Sequence, residues 1–375
     1  QAALLEAAEV ALLRVLEASS SLNVIAVVGL PLRIDDRLHN CAAVLQKGRV
    51  LGVVPKLYLP NYREFYEARQ FASGHDARLD SIDIAGQRDV PFGSELLFRA
   101  RELPSFRFHV EICEDLWVPI APSARAALAG ATVLLNLSAS NITVAKAEYR
   151  RLLVASQSAR CLAGYVFAAA GYGESTTDLA WDGQALISEN GNLLAESTRF
   201  EEEPQLVCSE IDLERLVQER MRQTTFRDNA AREVDALRRF RNVPVSIETP
   251  RAALLLPERR WERFPYVPSD PAQRAERSAE VFRIQVHGLV KRLESAKLDR
   301  VVIGISGGLD STHALLVCAQ AMDHLKLPRK NILAYTMPGF ATSERSLEQA
   351  RALMRAIGCE GRELDIRPAS LQMLA

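Results

Sequence analysis

The stretch Val301-Val302-Ile303-Gly304-Ile305-Ser306-Gly307-Gly308-Leu309-Asp310-Ser311-Thr312 decides how the second part of this chain folds. Strand-forming apolar residues run into two adjacent glycines, and His313–Met322 then reads as a helix. A strand entering a Gly-rich turn that opens a helix belongs to an α/β domain. Such a turn aims backbone N–H groups and the positive end of the helix dipole at an anion. Ser306, Ser311 and Thr312 add hydroxyls to the same turn, while no lysine closes it, so it is not the G-x-x-x-x-G-K-[ST] nucleotide loop. Asp310 puts a negative charge where a phosphate would sit, which makes sense if a divalent cation bridges the two. The plainer alternative is an ordinary turn with Ser306 or Asp310 capping the helix.

At 375 residues the chain exceeds one hydrophobic core, so two domains are expected. A composition of 48% hydrophobic and 25% charged residues is globular, and a net charge of −1 argues against a nucleic-acid partner. No apolar run reaches the length of a membrane span. Cys41, Cys113, Cys161, Cys208, Cys318 and Cys359 are scattered, without C-x-x-C pairs or clustered histidines. That pattern argues against zinc and disulfides and for a reducing cytoplasm. The chain opens at Gln1 and stops at Ala375, two strand–helix units after Val301, and reads as an internal fragment.

In order, Gln1–Ser19 has the apolar spacing of an amphipathic helix, and Leu22–Leu32 reads as a buried strand. Cys41–Leu45 and Val50–Val54 make a hairpin around Lys47-Gly48-Arg49. An irregular, aromatic loop, Tyr58–Glu67, follows Pro55-Lys56-Leu57 and suits the lining of a site. In Ser105–Trp117, Phe106, Phe108, Val110 and Ile112 alternate with Arg107, His109 and Glu111, which predicts a strand with one oily and one polar face ending at Cys113. Further strands are expected at Thr132–Leu137, Gly164–Ala170 and Leu206–Ile211, a helix over 146–161, and a hairpin at Gln184–Glu196 turning on Asn190-Gly191. The charged segment Asp212–Arg241 reads as solvated helix. Six prolines between Asn242 and Pro271 mark a linker over 243–271. Helices over 272–295 and 344–357 flank the strands at Val301 and Asn331–Met337, with Gly358 as the second helix's stop.

Most lone cysteines are core residues. Cys113 differs because it ends a strand beside acidic residues, Lys56 ends another strand, and Glu67 lies on the loop that follows Lys56. A thiolate attacking an amide needs a base and a cation or N–H donors for the oxyanion. His109 lies too close along the same strand to be an independent partner.

Val54–Glu67, Glu111-Ile-Cys113-Glu-Asp-Leu-Trp117, Asn136-Leu-Ser-Ala-Ser140 and Gly173–Gly183 resemble the nitrilase-type carbon–nitrogen hydrolases, and Ser306–Thr312 resembles the pyrophosphate loop of the ATP pyrophosphatases. Together they resemble the glutamine-dependent NAD synthetases over nearly the whole chain. The resemblance implies a nitrilase-like α-β-β-α sandwich over 1–242, the linker, and the start of a parallel-sheet ATP-pyrophosphatase domain over 272–375. It implies Cys113 as nucleophile, Lys56 as oxyanion stabiliser and Glu67 as a supporting catalytic carboxylate. Tyr62, Glu114, Ser140 and Lys146 would bind glutamine, with Lys146 where an arginine is expected. Gly304, Ile305, Ser306, Gly307, Gly308, Leu309, Asp310 and Ser311 would bind ATP, with Asp310 holding magnesium. The implied substrates are glutamine, ATP and deamido-NAD, used by a homo-oligomer with no nucleic-acid or membrane partner. The general-base glutamate is expected upstream of Gln1, and most dinucleotide contacts beyond Ala375. Two alternatives stay open: an amidase acting on another amide, with a regulatory nucleotide-binding domain, and a non-catalytic scaffold with a decayed synthetase, against which an intact Lys56, Cys113 and Asp310 argue.

Overall fold

The computed structural model describes residues 2–174, 179–248, 267–268 and 270–374. Compact units span Gln1–Arg260 and Trp261–Ala375. Among the described residues, no helix is long and apolar enough to cross a membrane.

The first unit is a four-layer sandwich. Helix α1 (Ala2–Ser19) lays Leu12 and Leu16 onto an antiparallel meander of β1 (Ile25–Ile34), β2 (Arg37–Gln46) and β3 (Arg49–Pro55). Both connecting loops are two residues long, Asp35-Asp36 and Lys47-Gly48, with positive φ at every position. This is the geometry whose twist matches that of the strands it joins. A side hairpin, β4 (Ser81–Ile84) and β5 (Gln87–Pro91), packs on the same apolar cluster.

The second sheet holds β6 (Leu96–Ala100), β7 (Arg107–Ile112), β8 (Val133–Ser138), β9 (Gly164–Ala169), β10 (Ala185–Glu189) and β11 (Asn192–Glu196). Helices α2 (Pro122–Leu128) and α3 (Lys146–Cys161) cover its outer face, and α4 (Leu213–Arg222), α5 (Thr224–Arg232) and α6 (Val234–Leu237) follow. The described strands run β11-β10-β9-β8-β7-β6-β12, where β12 is Arg241–Val245. Between the sheets, Ala42, Val44 and Val54 face Phe98, Phe108, Val110 and Ile112.

Three expectations change. β7 does not keep a polar face toward water, because His109 and Glu111 are both 1% exposed. A central strand in a layered sandwich is covered on both sides, and its polar groups must bond internally. Leu206–Ile211 is not a strand: Leu206 is 90% exposed, and only Ile211, at the segment's end, packs on the core. β12 carries the first unit's sheet past the boundary expected at 242, with Pro244 on an edge strand where its missing N–H is tolerated. The rest of the expected linker, 249–266 and 269, lies outside the described residues.

The second unit opens with α7 (Pro271–Ala296), capped by the Asp270 carboxylate accepting from Gln273 N–H at 3.0 Å. Strands β13 (Val301–Gly304), β14 (Ile332–Thr336) and β15 (Glu360–Glu363) pair in parallel in that order. Helices α8 (Leu309–His324) and α9 (Glu344–Ile357) connect them, and α10 (Arg367–Leu374) follows. Helix α8 starts at Leu309, before the expected His313, so Asp310, Ser311 and Thr312 stand in its first turn. Its N-cap is Gly308, with no side-chain cap from Ser306 or Asp310.

Gly307 has φ +82, and a Cβ there would lie 2.2 Å from the Ser346 carbonyl oxygen. Gly307→Ala should therefore destabilise the second unit by about 2 kcal/mol or more. Hydrogen exchange checks it: α8 and α9 amides should lose protection while β7 and β8 keep theirs. Unchanged exchange in α8 would contradict the close approach.

Candidate active site

β7 ends in a 3-10 turn, Cys113–Leu116, in which Cys113 adopts φ +48. A left-handed non-glycine residue is strained and must be held by its surroundings. Two side chains hold this turn. The Asn136 amide accepts from Cys113 N–H at 3.2 Å and donates to the Cys113 carbonyl at 3.4 Å. The Asp115 carboxylate accepts from Ile112 N–H at 3.0 Å, and from Leu57 and Tyr58 N–H at 3.2 and 2.9 Å. Asp115 thereby ties the Cys113 turn to the chain leaving β3.

Lys56 stands at that exit. Its side chain is 3% exposed and ion-pairs with Glu67, whose other oxygen accepts from Asn40 Nδ2 at 2.8 Å. Lys56, Glu67 and Cys113 line one cavity of about 640 Å³. Burial pushes the Cys113 thiol up, and the Glu67 charge adds to that, while the Lys56 charge and the Ala139 N–H pull it down. A buried ammonium beside a thiol can stabilise a thiolate, and then an oxyanion formed on a carbonyl it attacks.

Cys113 also lines a second cavity of about 520 Å³, with Tyr62, Glu64, Glu114, Ser140 and Lys146. Tyr62 donates its hydroxyl to Glu114 Oε1 at 2.7 Å. Lys146 donates to Asn141 Oδ1 at 2.9 Å and lies 5.5 Å from the ring centres of both Phe65 and Trp117. Burial, and then the nearby Arg150 charge, lowers its pKa. Asn141 Nδ2 reaches back to Glu64 Oε1 at 2.9 Å. The pocket so offers an ammonium and carboxylates, the complement of a zwitterionic amino acid. Behind it, Arg150 donates to the Ser140 and Asn141 carbonyls and ion-pairs with Asp182, both side chains fully buried.

The structure so brings Lys56, Glu67 and Cys113 to one cavity and Tyr62, Glu114, Ser140 and Lys146 to its neighbour. Sequence reading missed Asn40, Glu64, Asp115, Asn136, Asn141 and Arg150. Of these, only Glu64, Asp115 and Asn136 lie inside the quoted motifs. Within the segment 173–183, residues 175–178 lie outside the described residues.

In the second unit, the loop after β13 is held by its own hydroxyls. Ser306 N–H donates to Ser311 Oγ at 3.2 Å, Gly308 N–H to Ser306 Oγ at 3.2 Å, and Thr312 Oγ1 to the Gly308 carbonyl at 2.8 Å. Ile305 is core: it is 1% exposed, and its N–H is donated to the Tyr335 carbonyl at 2.7 Å. Leu309 and Asp310 are exposed on the first turn of α8. Among the described residues, no three His, Cys, Asp or Glu side chains gather as a metal cage. One exposed carboxylate at a helix N-terminus still suits magnesium, which takes its remaining ligands from phosphate and water.

Burial raises Asp115 to about 7, against the lowering by the Tyr58 and Ile112 N–H donors. Between its ordinary value near 4 and about 7, the folded state then holds a proton that the unfolded state has released. Stability from this group is thus present at low pH and lost as pH rises through that window. Urea unfolding should show the parent chain losing on the order of 4 kcal/mol relative to Asp115→Asn between pH 4 and pH 8. A difference independent of pH, or of opposite slope, would mean the N–H donors outweigh burial.

Comparison with known proteins places both parts of the chain among known families. The carbon-nitrogen hydrolase family model matches residues 1–221, and the NAD synthase model matches residues 281–375. The chain is 52% identical over 374 residues to the glutamine-dependent NAD(+) synthetase of Mycobacterium tuberculosis (strain ATCC 25618 / H37Rv), covering 100% of this chain and 55% of that protein. The enzyme of that name from Aquifex aeolicus (strain VF5) is 28% identical over 348 residues, with 92% and 53% covered. The chain spans about half the length of the curated relatives it matches. A solved carbon-nitrogen hydrolase from Helicobacter pylori G27 superposes with a TM-score of 0.50 at 19% identity, covering 64% of this chain and 79% of that one, and shares its fold. With its family model spanning more than half of the residues, the chain belongs to the carbon-nitrogen hydrolase family.

Proposed function

We propose that the protein carrying this chain is a glutamine-hydrolysing NAD synthetase, which amidates nicotinate adenine dinucleotide at the expense of ATP. The observation that carries the reading is a buried lysine–glutamate pair sharing a cavity with a cysteine in a strained turn, on a chain whose later residues match the NAD synthase family. The 52% identity to enzymes named glutamine-dependent NAD(+) synthetases supports the same choice of substrates.

In this reading glutamine lies in the cavity of Tyr62, Glu114, Ser140 and Lys146, with its side-chain amide at Cys113. The Cys113 thiolate attacks the amide carbon, and Lys56 stabilises the oxyanion. Collapse, with the proton lost by the Cys113 thiol delivered to the leaving nitrogen, expels ammonia and leaves a γ-glutamyl thioester, which water hydrolyses to glutamate and free thiol. Glu67 holds the Lys56 ammonium in place through their ion pair. In the second unit, the turn Gly304–Ser311 binds the ATP phosphates at the N-terminus of α8. Asp310 would hold a magnesium ion whose charge offsets that of the phosphates. ATP adenylates the nicotinate carboxylate with loss of pyrophosphate, and ammonia then displaces AMP.

Two variants separate the half-reactions. Cys113→Ser keeps the size but replaces a thiol by a poorly acidic hydroxyl, so glutamine-driven synthesis should fall by on the order of 10³-fold or more. Synthesis from ammonium salts should persist and rise with pH, because free ammonia is the nucleophile. Equal loss from both nitrogen sources, or none, would end the nucleophile assignment. Asp310→Asn should abolish synthesis from glutamine and ammonium alike while glutamine cleavage continues. Normal ammonium-driven synthesis in that variant would remove Asp310 from the reaction.

A further inference from the structure

Asn136 lies on β8, beside β7 and in register with Glu111. It is buried, and both ends of its amide meet backbone groups whose roles cannot be exchanged. The Cys113 N–H can only donate, so Oδ1 must face it; the Cys113 carbonyl can only accept, so Nδ2 must face that. The Ser138 hydroxyl donates to the same Oδ1 at 2.7 Å. On the neighbouring strand its register partner Glu111 is buried and accepts from the Tyr165 hydroxyl. One side chain thus grips the peptide groups on both sides of the left-handed residue, and the buried Ser138 hydroxyl fixes that side chain in turn.

We propose that Asn136 is a positioning residue for the amide-cleaving step, its two bonds to the Cys113 backbone holding the sulfur at the junction of the two cavities. The proposal rests on Cys113 being the nucleophile. With the N–H and carbonyl of Cys113 both fixed, its Cα–Cβ direction is fixed, and only rotation about χ1 remains. Releasing either bond lets the turn relax toward ordinary negative φ, which swings Cβ away from its present direction. Substrate contacts lie on Tyr62, Glu114, Ser140 and Lys146, none of which bonds Asn136. Loss of the grip should therefore appear in turnover and spare binding.

Asn136→Asp tests this with little change of shape: an acceptor replaces the Nδ2 donor opposite the Cys113 carbonyl, and negative charge is brought beside the thiol. In the protein carrying this chain, glutamine-driven kcat should fall about 100-fold. The KM for glutamine should stay within about threefold, and ammonium-driven synthesis should be unchanged. Alkylation of Cys113 by iodoacetamide, followed on its peptide with exposed Cys208 as internal standard, should move to higher pH by about one unit. Unchanged kcat, a raised KM with kcat kept, or equal loss from both nitrogen sources in a folded protein would each overturn the proposal. Should the Asp variant not fold, Asn136→Ala removes both bonds to the Cys113 backbone without burying charge; a loss of about 100-fold in kcat with KM kept is then expected, and an unchanged kcat overturns the proposal. If Cys113→Ser keeps glutamine-driven synthesis, the nucleophile reading has failed. If it does not, and Asn136→Asp keeps it, only the positioning role has.

Discussion

Asp115 accepts three backbone N–H groups from two separate chain segments, and the first unit's site depends on that junction. The two sheets meet through apolar side chains such as Val54 and Ile112, and such contacts are non-directional. They bring the ends of β3 and β7 near each other but set no angle between them. The carboxylate does, because each N–H must point at its oxygen. Lys56 leaves one segment immediately before the bonded groups, and Cys113 follows Ile112 on the other. An ammonium and a thiol nearly sixty residues apart in sequence therefore share one cavity.

The same economy recurs around the pocket. Polar groups that would be costly when buried are bonded to backbone at the site's edge. Arg150 takes the Ser140 and Asn141 carbonyls and balances its charge on Asp182, which Arg199 also engages. Glu111, on the covered face of β7, accepts from Ser123 N–H at 2.8 Å and from the Tyr165 hydroxyl. Breaking such pairs by removing one partner leaves an uncompensated buried charge, so the loops they hold are rigid for an energetic reason. The side chains lining the second cavity thus stand on segments that are anchored from behind.

Local signals in the sequence were legible where they were strong. The helices Lys146–Cys161 and Glu344–Ile357 carry their expected bounds, the second because Gly358 takes φ +77 and ends it. Asn190-Gly191 turns β10 into β11 with positive φ at both positions. Lys56, Glu67 and Cys113 could be singled out because strand ends and an aromatic loop mark a site before any pairing is known. Partners from other strands could not. That Asn136 meets Cys113 depends on β8 lying parallel to β7 in one register, and that Asp115 meets Leu57 depends on how two sheets stack. The polar alternation of β7 misled for the same reason: period two reports two faces, and only the layers around a strand decide whether either sees water. β6 and β12 went unread, the second because Pro244 argues against a strand unless it lies on an edge.

Everything proposed for the first unit turns on Cys113 attacking the side-chain carbonyl carbon of a bound glutamine. A diazoketone analogue of glutamine, which alkylates a nucleophile only when seated like the substrate, tests it directly by peptide mass spectrometry. One adduct per chain is expected, carried by the Cys113 peptide and suppressed by excess glutamine. An adduct on another cysteine such as exposed Cys208, or labelling of Cys113 that glutamine does not slow, would contradict it.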